Sequence, residues 1–530
     1  PSAAHTDPNH YGGCADQSRM FDNLYTSIWD GGANGTPVND ANYFALYVYK
    51  TVSRYKSQTR FWEIINEPDL DFLGHSEQQP GDPGNWWDNN PDPCQLAALK
   101  APIFHYVRML RIAYDVIKTI DPSAYVAPGG LGHPSFLDAV LRNTDNPVDG
   151  SVTAAYPLKG GAYFDVMSYH SYPSYALKWW DNSIMGFAYR RHSDAAGNEF
   201  LNKMNSMKQV LISRGYNDVT FPSKIFICTE SNIGRKAFPD AAGVPMIGSD
   251  LAQKNYMMKA VVQAQKNQVV QFYSFILGDT KFDAEATNEL EVMGFYKKLD
   301  GVGPIGSGIY LQQYNNEGIA YKTTSDLLRN KQYDQSRTAA MNLPSNTEGA
   351  AFRDAGGSYA YVLWAKTTVD QSESAASTYS FPAALNPPAL LAKFEWDYSV
   401  TGLNTSIPSS NIALSGTPIF LFENFQLVNQ HDDSTNRNPR VENEFQVLVK
   451  PNPASSVASV RFTLKSPTRV RINLFDGNGL QMGNIVHSQP FGTGTHEVSI
   501  PNVKQLPAGV YYVRFETDIR RMVKKLVIIP

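Results

Sequence analysis

Cysteine is scarce: the 530 residues hold three, Cys14, Cys94 and Cys228. None of them stands at CxxC spacing, which excludes the common zinc and dithiol motifs. No apolar run approaches the roughly 20 residues that cross a bilayer as a helix. No secretory leader opens the chain, and Pro1 follows no Met, so the true N-terminus is expected to have been removed or to be unrecorded. Net charge is small, 46 Lys and Arg against 50 Asp and Glu, which argues against a dedicated nucleic-acid binder. His5 and His10 share no third ligand, and no His-Glu-x-x-His occurs. Pro128-Gly-Gly-Leu-Gly132 lacks the Lys-Ser/Thr of a phosphate loop. A Gly-x-Ser-x-Gly elbow is missing too. No metal site and no cofactor are expected.

What is present is material for two to four globular domains with a large core. Tyrosine (29) and tryptophan (8) are plentiful, as suits either a β-rich protein or one that stacks sugars on aromatic faces. Cys228 sits inside the apolar strand sequence Ile225-Phe-Ile-Cys228, where a buried free thiol is the default. Cys14 and Cys94 lie in Gly/Pro/Asp-rich loop sequence and are expected to pair as a disulfide, which fits an oxidising, extracellular setting.

The organising stretch is Phe61-Trp-Glu-Ile-Ile-Asn-Glu-Pro-Asp69. Large apolar residues open it, and Pro68, which donates no backbone hydrogen bond, closes it. The pattern predicts a short buried strand with an amide and a carboxyl at its tip, a costly arrangement unless those groups are used. A helix-capping carboxylate at a strand-to-loop junction is the simpler alternative. Around this stretch, helical apolar stripes are predicted over 38–56 (capped by Asn39 or Asp40), 101–120, 134–142, 197–214, 250–267 and 316–330. Strands are predicted to end near 67, 128, 170, 230 and 277, so strand and helix alternate as in a parallel α/β barrel.

Asn66-Glu67-Pro68 after an apolar strand resembles the acid/base signature of the retaining glycoside hydrolases with a (β/α)8 barrel. In that clan this motif ends strand four and a second glutamate ends strand seven. Glu230, after Ile225-Phe-Ile-Cys-Thr, resembles the clan's nucleophile strand. Counting from Glu67 makes the five strands numbers four to eight of a TIM-type α/β barrel. The first three would then lie upstream of Pro1, and the barrel should look open, with one apolar flank uncovered.

Glycoside hydrolysis needs two carboxyls, one protonated and one ionised, flanking the scissile bond. The resemblance implies Glu67 as general acid/base and Glu230 as nucleophile, with no metal. It also implies that Asn66 contacts the sugar 2-hydroxyl and that His170 and Tyr172 stand beside the nucleophile, Tyr172 donating to Glu230. His170 reads equally as a structural strand-end histidine. Where the clan usually carries a Trp under the sugar, this chain has Gln271-Phe-Tyr273-Ser-Phe275. Trp86, Trp87, Trp179, Trp180 and Tyr273 are candidate substrate-binding aromatics, although paired Trp residues also pack on each other. Asp69, Asp165 and Asp279 are alternative carboxylates for such a site.

Beyond about 336 the helical period gives way to strand patterns, Tyr359–Ala365, Ser377–Phe381, Leu391–Trp396 and Ile419–Phe422, which predict a β-sandwich over 336–428. Polar residues 429–445 read as a linker. Residues 446–530, with Val449-Lys-Pro-Asn-Pro453, Val470-Arg-Ile-Asn-Leu-Phe-Asp476, Asn478-Gly479 and Leu506-Pro-Ala-Gly-Val-Tyr-Tyr-Val-Arg514, resemble the C-terminal sorting domain of the type IX secretion system of Bacteroidetes. That implies a small all-β sandwich, the secretion machinery as partner, and a secreted or outer-membrane cell-surface location. Together these readings predict a secreted retaining hydrolase of β-linked polysaccharide or oligosaccharide. The rival is a non-catalytic cell-surface glycan-binding or adhesion protein on a hydrolase-like barrel.

Overall fold

The computed structural model describes residues 3–7, 14, 17–70, 90–298, 313–423, 445–464, 466–476, 481–517 and 521–529. Residues 1–298 and 314–425 form one compact unit, and 426–530 with 299–313 belong to a second.

The first unit begins with α1 (Tyr43–Tyr55), which starts one turn later than its stripe suggests. Asn42 caps it by accepting from Ala45 N at 3.1 Å, rather than Asn39 or Asp40. Then come β1 (Phe61–Ile64), α2 (Ile103–Ile120), β2 (Tyr125–Pro128), α3 (Pro134–Arg142) and β3 (Val166–Ser171). A hairpin of β4 (Lys178–Asp181) and β5 (Gly186–Tyr189) follows, then α4 (Ser193–Ser213), β6 (Ile225–Ser231), α5 (Asp250–Lys266), β7 (Val269–Ser274) and α6 (Asn316–Leu328). Strand β1 pairs in parallel with β2, and β3, β6 and β7 pair in parallel in that order. Strand β2 meets β3 through Asp165 N to Val126 O at 2.8 Å and a parallel bridge between Leu131 and Tyr169. Five parallel strands therefore stand in chain order, with helices between them.

Strand alternation sorts the side chains into two layers. Met167, Tyr169, Val126 and Cys228 join the large core built with α1, α2, α3 and α4. Val166, Ala127 and Ile227 form a small cluster on the opposite side with Phe61 and Tyr125. Ser168 and His170 share the face of Val166. No strand lies alongside the outer edge of β1 or of β7 among the described residues. An apolar cavity of about 680 Å³ lies along that edge of β1, lined in part by Phe44, Tyr47, Trp62, Ile64, Ile65 and Ile117. The described residues do not close a barrel.

Cys14 and Cys94 are joined by a disulfide, and Cys228 is a buried free thiol.

The rest of the unit is a sandwich. Strands β8 (Lys331–Tyr333), β9 (Thr347–Asp354), β10 (Tyr359–Ala365), β12 (Leu390–Phe394), β13 (Asn404–Pro408) and β15 (Ile419–Phe422) form one six-stranded sheet. Strands β11 (Ala376–Tyr379) and β14 (Ile412–Ser415) pair separately. Period-2 alternation gives the large sheet two apolar faces. Phe352, Val362, Trp364, Phe394 and Phe420 pack on Met258 and Val262 of α5 and Leu327 of α6. Ala351, Tyr361, Leu363, Leu391 and Leu421 face Tyr379, Ile412 and Leu414 of the small sheet.

In the second unit, β16 (Phe445–Lys450), β17 (Ser459–Leu464) and β20 (Gly494–Ser499) form one sheet. A four-stranded sheet holds β18 (Thr468–Phe475), β19 (Gln481–Phe491), β21 (Gly509–Thr517) and β22 (Arg521–Ile528). Val447, Val460, Phe462, Ile472, Val513 and Phe515 share its core. The predicted linker falls almost wholly outside the described residues.

Candidate active site

The tip of β1 is held in an unusual backbone. Ile65 and Glu67, either side of Asn66, both take left-handed conformations, with φ of 66° and 46°. For a β-branched residue such as Ile65 that is a strained position, which persists only where the surroundings over-determine it. Here they do. Tyr106 of α2 donates to Ile64 O at 3.2 Å and accepts from Gly129 N at 3.0 Å. Glu67 N donates to Gly129 O at 2.7 Å. Gly129 has no room for a side chain, since a Cβ there would lie 2.0 Å from Ile65 O. Buried Asp69 completes the joint by accepting from Gly132 N at 2.9 Å and His133 N at 2.7 Å, at the start of α3. The end of β1 is thus fastened to the end of β2, and the Glu67 side chain turns towards β3.

There it meets residues from two other strand ends. His170 Nδ1 lies 2.8 Å from Glu67 Oε1 and 3.6 Å from Glu230 Oε2. Tyr172, just past β3, donates to Glu230 Oε2 at 2.6 Å. One ligand atom from each of Glu67, His170 and Glu230 lies within 4.8 Å of the other two. Such a trio has a spacing that a cation could bridge, and it equally suits two carboxyls acting on one bond. Register shifts at Tyr169/His170 and between Cys228 and Ser231 re-aim these side chains. The His170 side chain is only 3% exposed, whereas those of Glu67 and Glu230 are 28% and 25% exposed, so solvent reaches the carboxyls.

The electrostatics follow from this crowding. Burial alone would depress the imidazole of His170, but the Glu67 hydrogen bond and the charges of Glu230 and Glu63 hold it above its ordinary value. Burial, and then the bond to Glu230, push the Tyr172 phenol far above its usual range, so it remains a donor.

Asn66 is exposed at the strand tip beside Glu67. Trp179 and Trp180 lie on the β4–β5 hairpin and do not stack on one another. Arg190 covers the Trp179 ring at 4.0 Å, while Trp180 is half exposed and edge-on to Phe187. Tyr273 is half exposed on β7 and donates to Gln271. Trp86 and Trp87 lie outside the described residues. The alternative carboxylates have other work. Asp69 caps α3, Asp165 pairs with Lys118 at 2.8 Å, and buried Asp279 pairs with Arg235 at 2.9 Å. Two residues that the sequence reading passed over belong to the site. Phe275, after β7, packs edge-on to Tyr172 at 5.9 Å. Glu63 sits on β1 with its Oε1 accepting from Thr229 at 3.2 Å. Its place on β1, four residues before Glu67, was the available signal for Glu63.

Residues 449–529 match the family described as the secretion system C-terminal sorting domain, so the type IX sorting tail is present. The tail marks the protein for secretion or cell-surface attachment. No helix among the described residues is long and apolar enough to cross a membrane. No curated protein matches the chain. Among solved structures, a glucosidase from Croceicoccus marinus aligns at 13% identity and TM-score 0.36, over 86% of this chain and 71% of that one. A family 44 xyloglucanase from Paenibacillus polymyxa aligns at 13% and 0.36, over 72% and 70%. The catalytic domain of a family GH30 xylanase C from Talaromyces cellulolyticus aligns at 12% and 0.36, over 76% and 74%. At these values any assignment of activity rests on the residues themselves.

Proposed function

We propose that the protein is an exported retaining glycoside hydrolase that cleaves β-linked glycan by double displacement. The observation that carries this is the convergence of Glu67 and Glu230, from distant strands, to within 4.8 Å between carboxylate oxygens. Retaining enzymes hold their carboxyls about 5–5.5 Å apart, whereas inverting ones leave about 6.5–9.5 Å for a water. In this reading Glu230 attacks the anomeric carbon as a carboxylate, and the Tyr172 hydrogen bond favours that charged form. Glu67 protonates the leaving oxygen, then draws a proton from the water that hydrolyses the glycosyl-enzyme. Asn66, beside Glu67, is placed to bond the 2-hydroxyl.

The test is Glu230→Gln, assayed on 4-nitrophenyl β-glycosides and on plant and algal polysaccharides. Turnover should vanish with the thermal unfolding curve unchanged, and wild-type product should keep the β anomer in a proton NMR time course. Undiminished turnover, or an α product, would sink the reading. The open edges of β1 and β7 favour one rival, a glycan-binding protein without turnover. It would show wild-type binding to a polysaccharide with no reducing ends released.

A further inference from the structure

The two carboxylates of the proposed reaction leave a third unexplained. Glu63 lies on β1, four residues before Glu67. Its Oε1 accepts from Thr229, the residue next to Glu230, at 3.2 Å. Gly130 shows how near it stands to the imidazole. A methyl group placed on Gly130 would sit 2.1 Å from His170 Nε2 and 2.7 Å from Glu63 Oε1, so both atoms border the space of the absent side chain. The other ring nitrogen of His170 is the one bonded to Glu67. A line therefore runs from Glu63 to Nε2, through the ring, and from Nδ1 to Glu67.

We propose that Glu63 is a positioning residue that acts through His170 to keep the proton on Glu67. The inference rests on the hydrolase reading above. An ionised Glu63 near Nε2 favours the proton on that nitrogen. Nδ1 is then bare and accepts from the protonated Glu67, the form that donates to a leaving oxygen. If instead the Glu67 proton moves to Nδ1 while the Nε2 proton moves to Glu63, proton count and net charge are unchanged but the acid is spent. Glu63 thus chooses between two tautomers of one imidazole, and its negative charge also opposes ionisation of Glu67.

The groups that face Glu63 are His170 of β3, Glu230 and Cys228 of β6, and Tyr106 of α2. Burial keeps the thiol and the phenol neutral. His170 is the one group among these four that can carry positive charge. Glu63 keeps an exposed surface, yet the protein packed around its carboxyl lifts it to about 7, with His170 opposing the rise.

The experiment is the pH profile of kcat/KM for the full chain on 4-nitrophenyl β-D-glucoside, β-D-xyloside, β-D-galactoside and β-D-mannoside. Wild type, Glu63→Gln, Glu63→Asp and Glu230→Gln are run together. Glu63→Gln should move the alkaline limb down by about one pH unit, and Glu63→Asp should bring most of it back. A role in folding alone would lower the whole profile without moving the limb, which overturns the proposal. Should Glu63→Gln misfold, Thr229→Val, which removes the hydroxyl holding Glu63, should shift the limb the same way by less. An unmoved limb in that variant overturns the proposal equally. Nitrogen-15 histidine NMR gives a readout that needs no substrate: the Nε2–H tautomer at His170 in wild type, and a lower His170 midpoint in Glu63→Gln. An active Glu230→Gln enzyme would remove the hydrolase reading and this inference with it. An active wild type, a dead Glu230→Gln and an unmoved limb would remove this inference alone.

Discussion

The hydrogen bond from Tyr172 to Glu230 offers the cleanest perturbation of the proposed chemistry. At 2.6 Å it is short, as expected for a hydroxyl bonded to a carboxylate. Tyr172→Phe removes one oxygen and leaves the ring against Phe275 at 5.9 Å, so the packing should survive. Hydrogen bonds to charged groups are worth about 1.5–3 kcal/mol. One pKa unit corresponds to about 1.4 kcal/mol. If the whole bond favours the reactive carboxylate, its loss should lower kcat/KM at acid pH roughly ten- to a hundredfold. The smaller figure is preferred, because the Glu230 side chain is 25% exposed and water replaces part of the lost bond.

The assay is kcat/KM against pH on an aryl β-glycoside, with circular dichroism melting as a control. The acid limb should move up by about one unit. On the plateau, where the nucleophile is already ionised, the loss should be much smaller than at acid pH. A phenol held far above its usual range remains a donor across the working pH, so Tyr172 itself adds no inflection. An acid limb that stays put while the plateau falls would show that the hydroxyl serves substrate binding, and the electrostatic account of Glu230 would be wrong.

Two further predictions concern stability. Buried Glu317 accepts from Asn232 at 2.8 Å and Ser274 at 3.0 Å through Oε1, while Oε2 has no hydrogen-bond partner among the described residues. Burial holds this carboxyl well above the usual range. A carboxyl raised in the folded state contributes stability that is present below its unfolded pKa and is lost as pH rises through the folded one. Glu317→Gln should therefore flatten the fall of Tm at rising pH, and parallel Tm–pH curves would refute this. The Cys14–Cys94 bridge spans 80 residues, for which chain entropy sets a contribution of about 4–5 kcal/mol. The double variant Cys14→Ser/Cys94→Ser should lose up to that amount in urea unfolding. Wild-type stability that does not respond to a reducing agent would count against it.

Much of this was legible in the sequence where one local rule decided the outcome. The apolar stripe of 101–120 became α2 almost residue for residue, because its neighbours bury one face of a single amphipathic helix. Strand ends near 128, 170 and 230 could be read because each closes an apolar run with polar groups or proline, whereas the strand expected to end near 67 stops at Ile64. What escaped was decided by tertiary contact. Thr347–Asp354, with Gly349, Ala350 and Ala351, has little strand propensity, yet it is clamped between two strands of a two-faced sheet. Helix α5 carries Gln253, Asn255 and Lys259 at buried positions, since it packs against strands on one side and the sandwich on the other. Lys259 is satisfied by Asp194 and Ser193, both at the start of α4, far away in sequence.

The site itself is where sequence rules fail together, and that coincidence is physically informative. Of the described non-glycine residues with positive φ, Ile65 alone is β-branched, and it adjoins the Asn66-Glu67 pair. A strained strand tip, two bulged registers and a nearly enclosed imidazole all cost stability. Folding by itself gives no reason to gather these costs at the ends of β1, β3 and β6. They are held there by Tyr106, Gly129 and Asp69, residues that touch neither Glu230 nor His170 by any bond described here. Removing the strain would relax β1 into an ordinary strand end and swing Glu67 away from His170. The backbone that looks unfavourable at Ile65 is therefore what sets the carboxyl spacing on which a double displacement depends.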